Sequence, residues 1–145
     1  MKDIIFIGDG LGVRTLASKI IGLNVLGTDI SKYAIDNSIC KENMIQDDIV
    51  NTKITEQAKL VVCYDILEHL KYEDLDKALS NISKLGLNFI FSVPFLDDPN
   101  LEADPTHIIK EDKEWWIKKL SEYFIIKDAP QDWLFHEQIL IGEKK

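Results

Sequence analysis

Short apolar runs rich in Ile, Val and Phe alternate with helix-period stretches along almost the whole chain. That alternation constrains the fold more than any other feature of the sequence. A strand, a helix and a second strand in succession return to one sheet as parallel neighbours. The expected architecture is therefore α/β, a doubly wound and mostly parallel sheet with helices on both faces. No repeat, low-complexity tract or Gly/Ser linker interrupts the 145 residues, so 1–145 is expected to be a single domain.

The first run, Ile4 to Ile7, ends in glycines. Val13, Leu16, Ala17 and Ile20 then recur at helical spacing, and Gly22 closes that helix. A second strand, Asn24 to Asp29, leads to Ser31, a good N-cap for a short helix through Ala34 and Ile35. Met44 to Gln46 is a third strand. Leu60 to Tyr64 is continuously apolar, as a central parallel strand covered on both faces should be. Leu75, Ala78, Leu79, Ile82 and Leu85 form a helical stripe, and Gly86 stands where its C-terminal cap belongs. A fifth strand, Leu87 to Val93, ends at Pro94. The acid-rich stretch to Pro105 is predicted to be a long exposed loop. Glu111 to Tyr123 is predicted as a helix with Trp116, Leu120 and Tyr123 on one face. Phe124 to Ile126 and Leu134 to Ile141 are predicted as a terminal antiparallel hairpin.

Charge narrows the partners. The 17 Lys and Arg against 25 Asp and Glu leave a formal charge of −8, which repels a phosphate backbone, so no nucleic acid is expected. No stretch approaches the roughly 20 apolar residues of a membrane helix, and no signal peptide is read at the N-terminus, so no membrane is expected either. Cys40 and Cys63 fit buried reduced thiols, and the cytoplasm is the expected compartment.

The turn Gly8, Asp9, Gly10, Leu11, Gly12 joins the first strand to the first helix, where glycines let a ligand approach the main chain. Asp29 ends the second strand, where a carboxylate can accept from both hydroxyls of a ribose. A dinucleotide fingerprint wants Gly or Ala at position 13, and Val13 disfavours it.

The three glycines at alternate positions and the acid after the second strand resemble the first motifs of class I S-adenosylmethionine-dependent methyltransferases. Gln46-Asp47-Asp48-Ile49 resembles the family's adenine-contacting segment. Leu60 through Asp65-Ile66-Leu67-Glu68-His69-Leu70 resembles its fourth motif, and Phe91-Ser92-Val93-Pro94 its fifth strand. The resemblance extends over most of the chain and is nearest to the small-molecule methyltransferase-11/12-like group. It implies a Rossmann-like seven-stranded sheet with an antiparallel C-terminal hairpin, S-adenosyl-L-methionine as cofactor and a small-molecule acceptor. It also implies a cofactor-binding set of Gly8, Asp9, Gly10, Gly12, Asp29, Ile30, Asp47, Asp48, Ile49, Tyr64 and Asp65. Phe6 stands where the family usually carries an acid, and the sequence opens at the first strand without the covering helices of many relatives. These departures leave room for a non-catalytic or partner-dependent module, completed by a homodimer or a partner subunit.

Methyl transfer is an in-line displacement, in which alignment supplies much of the catalysis. If the acceptor is a hydroxyl, His69 and His107 are the candidate bases, because their side chains titrate nearest neutrality. His136 is assigned a structural role. Asp65, Glu68, His69 and His107 resemble in type the ligands of small-RNA 2′-O-methyltransferases. The same Glu-His pair also follows the fourth strand in metal-free relatives, and the net charge opposes RNA, so no metal is expected. Trp115 and Trp116, with Tyr123 and Phe124, are either pocket-lining or core aromatics.

Overall fold

The computed structural model describes residues 1–145. Seven strands form one sheet: β1 (Lys2–Ile7), β2 (Val25–Asp29), β3 (Met44–Gln46), β4 (Ala58–Tyr64), β5 (Gly86–Ser92), β6 (Phe124–Asp128) and β7 (Ile139–Lys144). Their order is β3-β2-β1-β4-β5-β7-β6. β1 to β5 pair in parallel, and β7 lies antiparallel between β5 and β6. The chain winds outward from β1 to β3, then returns to place β4 on the other side of β1. That reversal opens a crevice at the C-terminal ends of β1 and β4, the place where such sheets bind ligands.

Parallel strands buried on both faces need apolar residues at successive positions, and β1 and β4 supply them. Ile5 pairs with Val61, Phe6 with Val62 and Ile7 with Cys63, all buried. Ile5, Ile7, Val61, Cys63, Phe89 and Phe91 join one core cluster with helix α3 (Tyr72–Leu85), which contributes Leu75, Ala78, Leu79, Ile82 and Leu85. Each fully buried Leu or Ile in that cluster contributes about 2 kcal/mol.

Helix α1 (Val13–Ile20) forms where its periodicity places it and ends before Gly22, whose φ of 89° is left-handed. The face it buries differs from expectation. Val13 is 61% and Ile20 75% exposed, whereas Thr15 is wholly buried. The glycine turn sets the helix rotation: Asp9 Oδ2 accepts from the Thr15 amide (2.9 Å) and hydroxyl (2.7 Å). Thr15 is thereby pressed against Gly27 of β2, where a Cβ would stand 2.2 Å from the threonine Oγ1. Helix α2 (Lys32–Asp36) is capped by Ser31, whose hydroxyl accepts from the Ala34 amide (3.2 Å).

Gly86 follows α3 in an extended conformation (φ −156°) as the first residue of β5. It is therefore no left-handed cap. Val61 Cγ2 lies 2.6 Å from where its Cβ would be, so close strand packing accounts for the glycine. The stretch after Pro94 is also more ordered than a long exposed loop. Asp98 caps helix α4 (Pro99–Ala103), and Phe95, Leu101 and Ile109 are buried. Helix α5 (Lys113–Leu120) is shorter than its periodicity implies because Asp112 caps it, accepting from the Trp115 amide (2.8 Å). Trp116 and Leu120 are core, and Tyr123 lies beyond the helix. The last strand starts only at Ile139; Leu134 is 78% exposed, on a connector that the apolar run had merged with the strand.

Candidate active site

The crevice at the sheet reversal is a cavity of about 280 Å³, lined by Ile7, Gly8, Thr28, Asp29, Ile30, Asp47, Asp48, Ile49, Ile66, His69 and Leu70. Gly8 turns the chain away from β1 with φ 70°. A Cβ there would lie 1.9 Å from Ile66 Cδ1, so any other residue would displace Ile66 as well as strain the left-handed backbone.

The acids of this crevice are largely engaged with main chain. Asp29 Oδ2 accepts from the Gly10 amide (2.8 Å) and Oδ1 from the Ser31 amide (2.9 Å). It holds the glycine turn against β2, and each oxygen keeps one lone-pair direction for a second donor. Asp48 caps the turn Ile49–Asn51, accepting from the Val50 amide (3.0 Å) and the Asn51 side chain (2.8 Å). Asp47 accepts from the Lys53 amide (2.9 Å).

Five residues of the expected binding set do not line this crevice: Asp9, Gly10, Gly12, Tyr64 and Asp65. Asp9 is buried beneath α1, bonded to Thr15 and to Arg14 Nε (2.8 Å), and its amide donates to Thr28 O. It braces the turn, with neither charge nor amide left for a ligand. Tyr64 lies under Arg14, 5.5 Å from guanidinium carbon to ring centre, and burial, then Asp65, pushes its phenol pKa up. Asp65 adopts a left-handed conformation, φ 53°, held by its amide to Ser92 O (2.9 Å) and by the Ser92 hydroxyl on its carboxylate (3.0 Å). The turn amides are also less bare than expected. Gly10 donates to Asp29 and Gly12 to Asp9 O.

Asp65 faces a second cavity, of about 270 Å³, lined by Asp65, Glu68, His69, Pro94, Asp98, Asn100, Asp104, His107 and Gln138. No apolar side chain other than the proline borders it. His69 belongs to both cavities. The His69 and His107 rings meet edge to face, 4.8 Å between centroids. Beneath them Glu68 is wholly buried. Burial, with Asp65 and Asp104 nearby, pushes its carboxyl pKa up to about 8. The Glu68 carbonyl accepts from the amides of Ile108 (2.8 Å) and Ile109 (2.9 Å), which fixes the segment carrying His107 onto the turn carrying His69. The sequence brings both histidines to notice, but it gives no hint that Glu68 is buried: beside a histidine after a strand, a glutamate is usually solvated.

A family model described as a methyltransferase domain matches residues 6–86. The chain belongs to that family. No curated protein matches the sequence. Among solved structures, a magnesium protoporphyrin IX methyltransferase from Synechocystis with bound S-adenosylhomocysteine superposes with TM-score 0.77 at 17% identity, over 99% of this chain and 74% of that one. A S-adenosylmethionine-dependent methyltransferase from Archaeoglobus fulgidus gives 0.76 at 19% identity, over 99% and 86%. A TehB-like enzyme from Corynebacterium glutamicum gives 0.75 at 17%, over 99% and 80%. At such identities the likeness is one of fold. The methyltransferase shares their Rossmann-like sheet, and its matched segment runs from Phe6 through the glycine turn to Gly86.

Proposed function

We propose that this chain is an S-adenosylmethionine-dependent methyltransferase acting on a small polar acceptor, with the nucleoside in the Gly8–Asp29–Asp48 crevice and the acceptor in the Asp65–Glu68–His107 cavity. The observation that supports it is the meeting of the two cavities at His69. A displacement needs donor and acceptor in contact, in line and shielded from water. The residues fit the cofactor. Gly8 and Ile66 border the crevice with Ile66 packed directly on the glycine main chain, and Asp29 retains free lone pairs beside the crevice.

S-adenosylmethionine supplies an electrophilic methyl group on a sulfonium. The chain's own residues position it. Asp29 would accept from ribose hydroxyls, the 47–49 segment would border the base, and Arg14, partly exposed at the turn and paired with Asp9, would meet the amino-acid carboxylate. His69 and His107 take the acceptor's proton where the acceptor is a hydroxyl. The acidic cavity and the −8 charge fit a small acceptor better than a nucleic acid. Cys40 and Cys63 are free and buried, which fits the cytoplasm. No helix is long and apolar enough to cross a membrane. Residues 1–145 form one methyltransferase-like unit in this reading, since β1 and β7 belong to one sheet.

Titration calorimetry with S-adenosylhomocysteine tests the reading. Saturable binding is expected; none at millimolar ligand, with the protein folded, would end it. Methyl transfer that appears only when a second subunit is added would replace it with a partner-dependent module.

A further inference from the structure

One carboxyl oxygen and two imidazole nitrogens converge on one point of the acidic cavity. Glu68 has no solvent access, and neither of its carboxylate oxygens has a hydrogen-bond partner. Its Oε1 lies 4.0 Å from His69 Nε2 and 4.0 Å from His107 Nε2. The other side of each ring decides where the ring proton resides. His107 Nδ1 is 3.0 Å from the Leu101 carbonyl, which can only accept, so Nδ1 carries the proton and Nε2 is bare in the neutral ring. Thr106 Oγ1 spends its hydrogen on Asp104 Oδ1 (2.6 Å), so at 3.0 Å it accepts from His69 Nδ1, leaving that Nε2 bare as well. A single proton could join Glu68 to one histidine and would leave the other lone pair and the second carboxylate oxygen unmet. A cation meets all three groups at once.

We propose that Glu68, His69 and His107 bind one divalent transition-metal ion, with Asp104 as a further ligand and the remaining positions open to the cavity. The three ligand atoms lie within 4.8 Å of one another. Bonds of about 2.1 Å put neighbouring ligands about 3 to 3.5 Å apart, so shifts of under roughly one ångström close the set. Asp104 Oδ2 is 3.7 Å from His107 Nε2. Both histidines donate their far ring nitrogen to a fixed acceptor, the arrangement that orients metal-bound imidazoles. Two imidazoles and a carboxylate suit Mn²⁺, Fe²⁺, Co²⁺ or Zn²⁺ better than Mg²⁺ or Ca²⁺. The absence of a metal expected from the sequence rested on net charge and on the commonness of the Glu-His pair; neither accounts for an unpartnered buried carboxylate. Resting on the proposed function, the open positions would take an oxygen of the acceptor, which selects acceptors with a metal-binding hydroxyl pair; with the ion bound both imidazoles are ligands, and the ion, in place of a histidine base, would acidify the hydroxyl.

The full-length protein, stripped with chelator and titrated with Co²⁺, should take up one equivalent with visible ligand-field absorption. His107→Gln and Glu68→Gln should each weaken uptake by about tenfold or more, and Thr106→Val, which frees the His69 ring without touching the ion, by several-fold. The Thr106 variant keeps the test open should a ligand variant fail to fold. No absorption with folded wild type would overturn the site, as would bands that persist unchanged in the variants, since the ion would then sit on surface acids. Catechol should shift the Co²⁺ bands if positions are open; an unshifted spectrum would overturn the acceptor part alone. Because calorimetry with S-adenosylhomocysteine is done in chelator, it tests the nucleoside crevice separately from the ion.

Discussion

The two cavities that meet at His69 both hold carboxylates, but only the second holds one without a partner. In the nucleoside crevice, Asp29, Asp47 and Asp48 are each bonded to main-chain amides, so their charges go largely into holding loops in place. Across His69, the Glu68 carboxylate is more deeply buried than any of them and has no hydrogen-bond partner from another residue. A carboxylate that accepts from two amides is part of the scaffold with a little binding capacity left over. A buried one without partners has its whole capacity in reserve and destabilises the fold until something fills it. The crevice is thus arranged for shape and the cavity for charge.

The sharpest way to break this contrast is Gly8→Ala. The new Cβ meets Ile66, and the left-handed backbone disfavours it further. A loss of about 3 kcal/mol in S-adenosylhomocysteine binding is expected, roughly a hundredfold in calorimetry. Binding within about twofold of wild type would mean that the crevice does not hold the nucleoside.

Glu68→Gln probes the other side through pH. The folded-state pKa of Glu68 is raised from 4.5 to about 8. Its contribution to stability is therefore fully present below pH 4.5 and is lost as pH rises toward 8. In chelator, the Gln variant should be more stable than wild type at pH 8.5, by up to about 4 to 5 kcal/mol, and melt at the same temperature near pH 4.5. A constant difference between the two at both pH values would show that the carboxyl does not titrate there.

Asp29→Asn separates scaffold from binding within one residue. An amide oxygen still accepts from one backbone amide, but the group no longer offers two acceptors to a ribose. Affinity for S-adenosylhomocysteine should fall about tenfold while stability falls by about 1 kcal/mol. Equal losses in both would assign Asp29 to the scaffold alone. The smallest effect is expected of Gly10→Ala, whose Cβ has no atom within 4 Å. Only its left-handed φ of 56° resists, at about 1 kcal/mol of stability by thermal melting.

Features fixed by a few neighbouring residues were legible in the sequence. Met44–Gln46 is a strand between breakers, Ser31 caps the helix it precedes, and Asp29 ends its strand at the crevice. Features set by residues distant in sequence were not. The stripe of α1 marked a helix, but its buried face follows from the Asp9–Thr15 bonds, which periodicity does not encode. Leu101 stands between Asn100 and Glu102, and Ile109 beside an Ile108 that stays exposed, so nothing periodic announced that they pin the stretch after β5 into the core. That same pinning buries Glu68, so the residue was visible beside His69 in the sequence while its burial was not. Asp9 was grouped with the binding residues because it sits between two glycines, yet its side chain lies under the turn.

The paired amides of Ile108 and Ile109 on the Glu68 carbonyl act as a hinge pin set beside the chemistry. Pro94, Asp98 and Asn100, upstream of that pin, line the second cavity, and no residue of 94–103 lines the crevice at the glycine turn. The scaffold is therefore modular at its working end: the chamber wall can be re-cut for a new acceptor while the histidines and the nucleoside crevice stay in register.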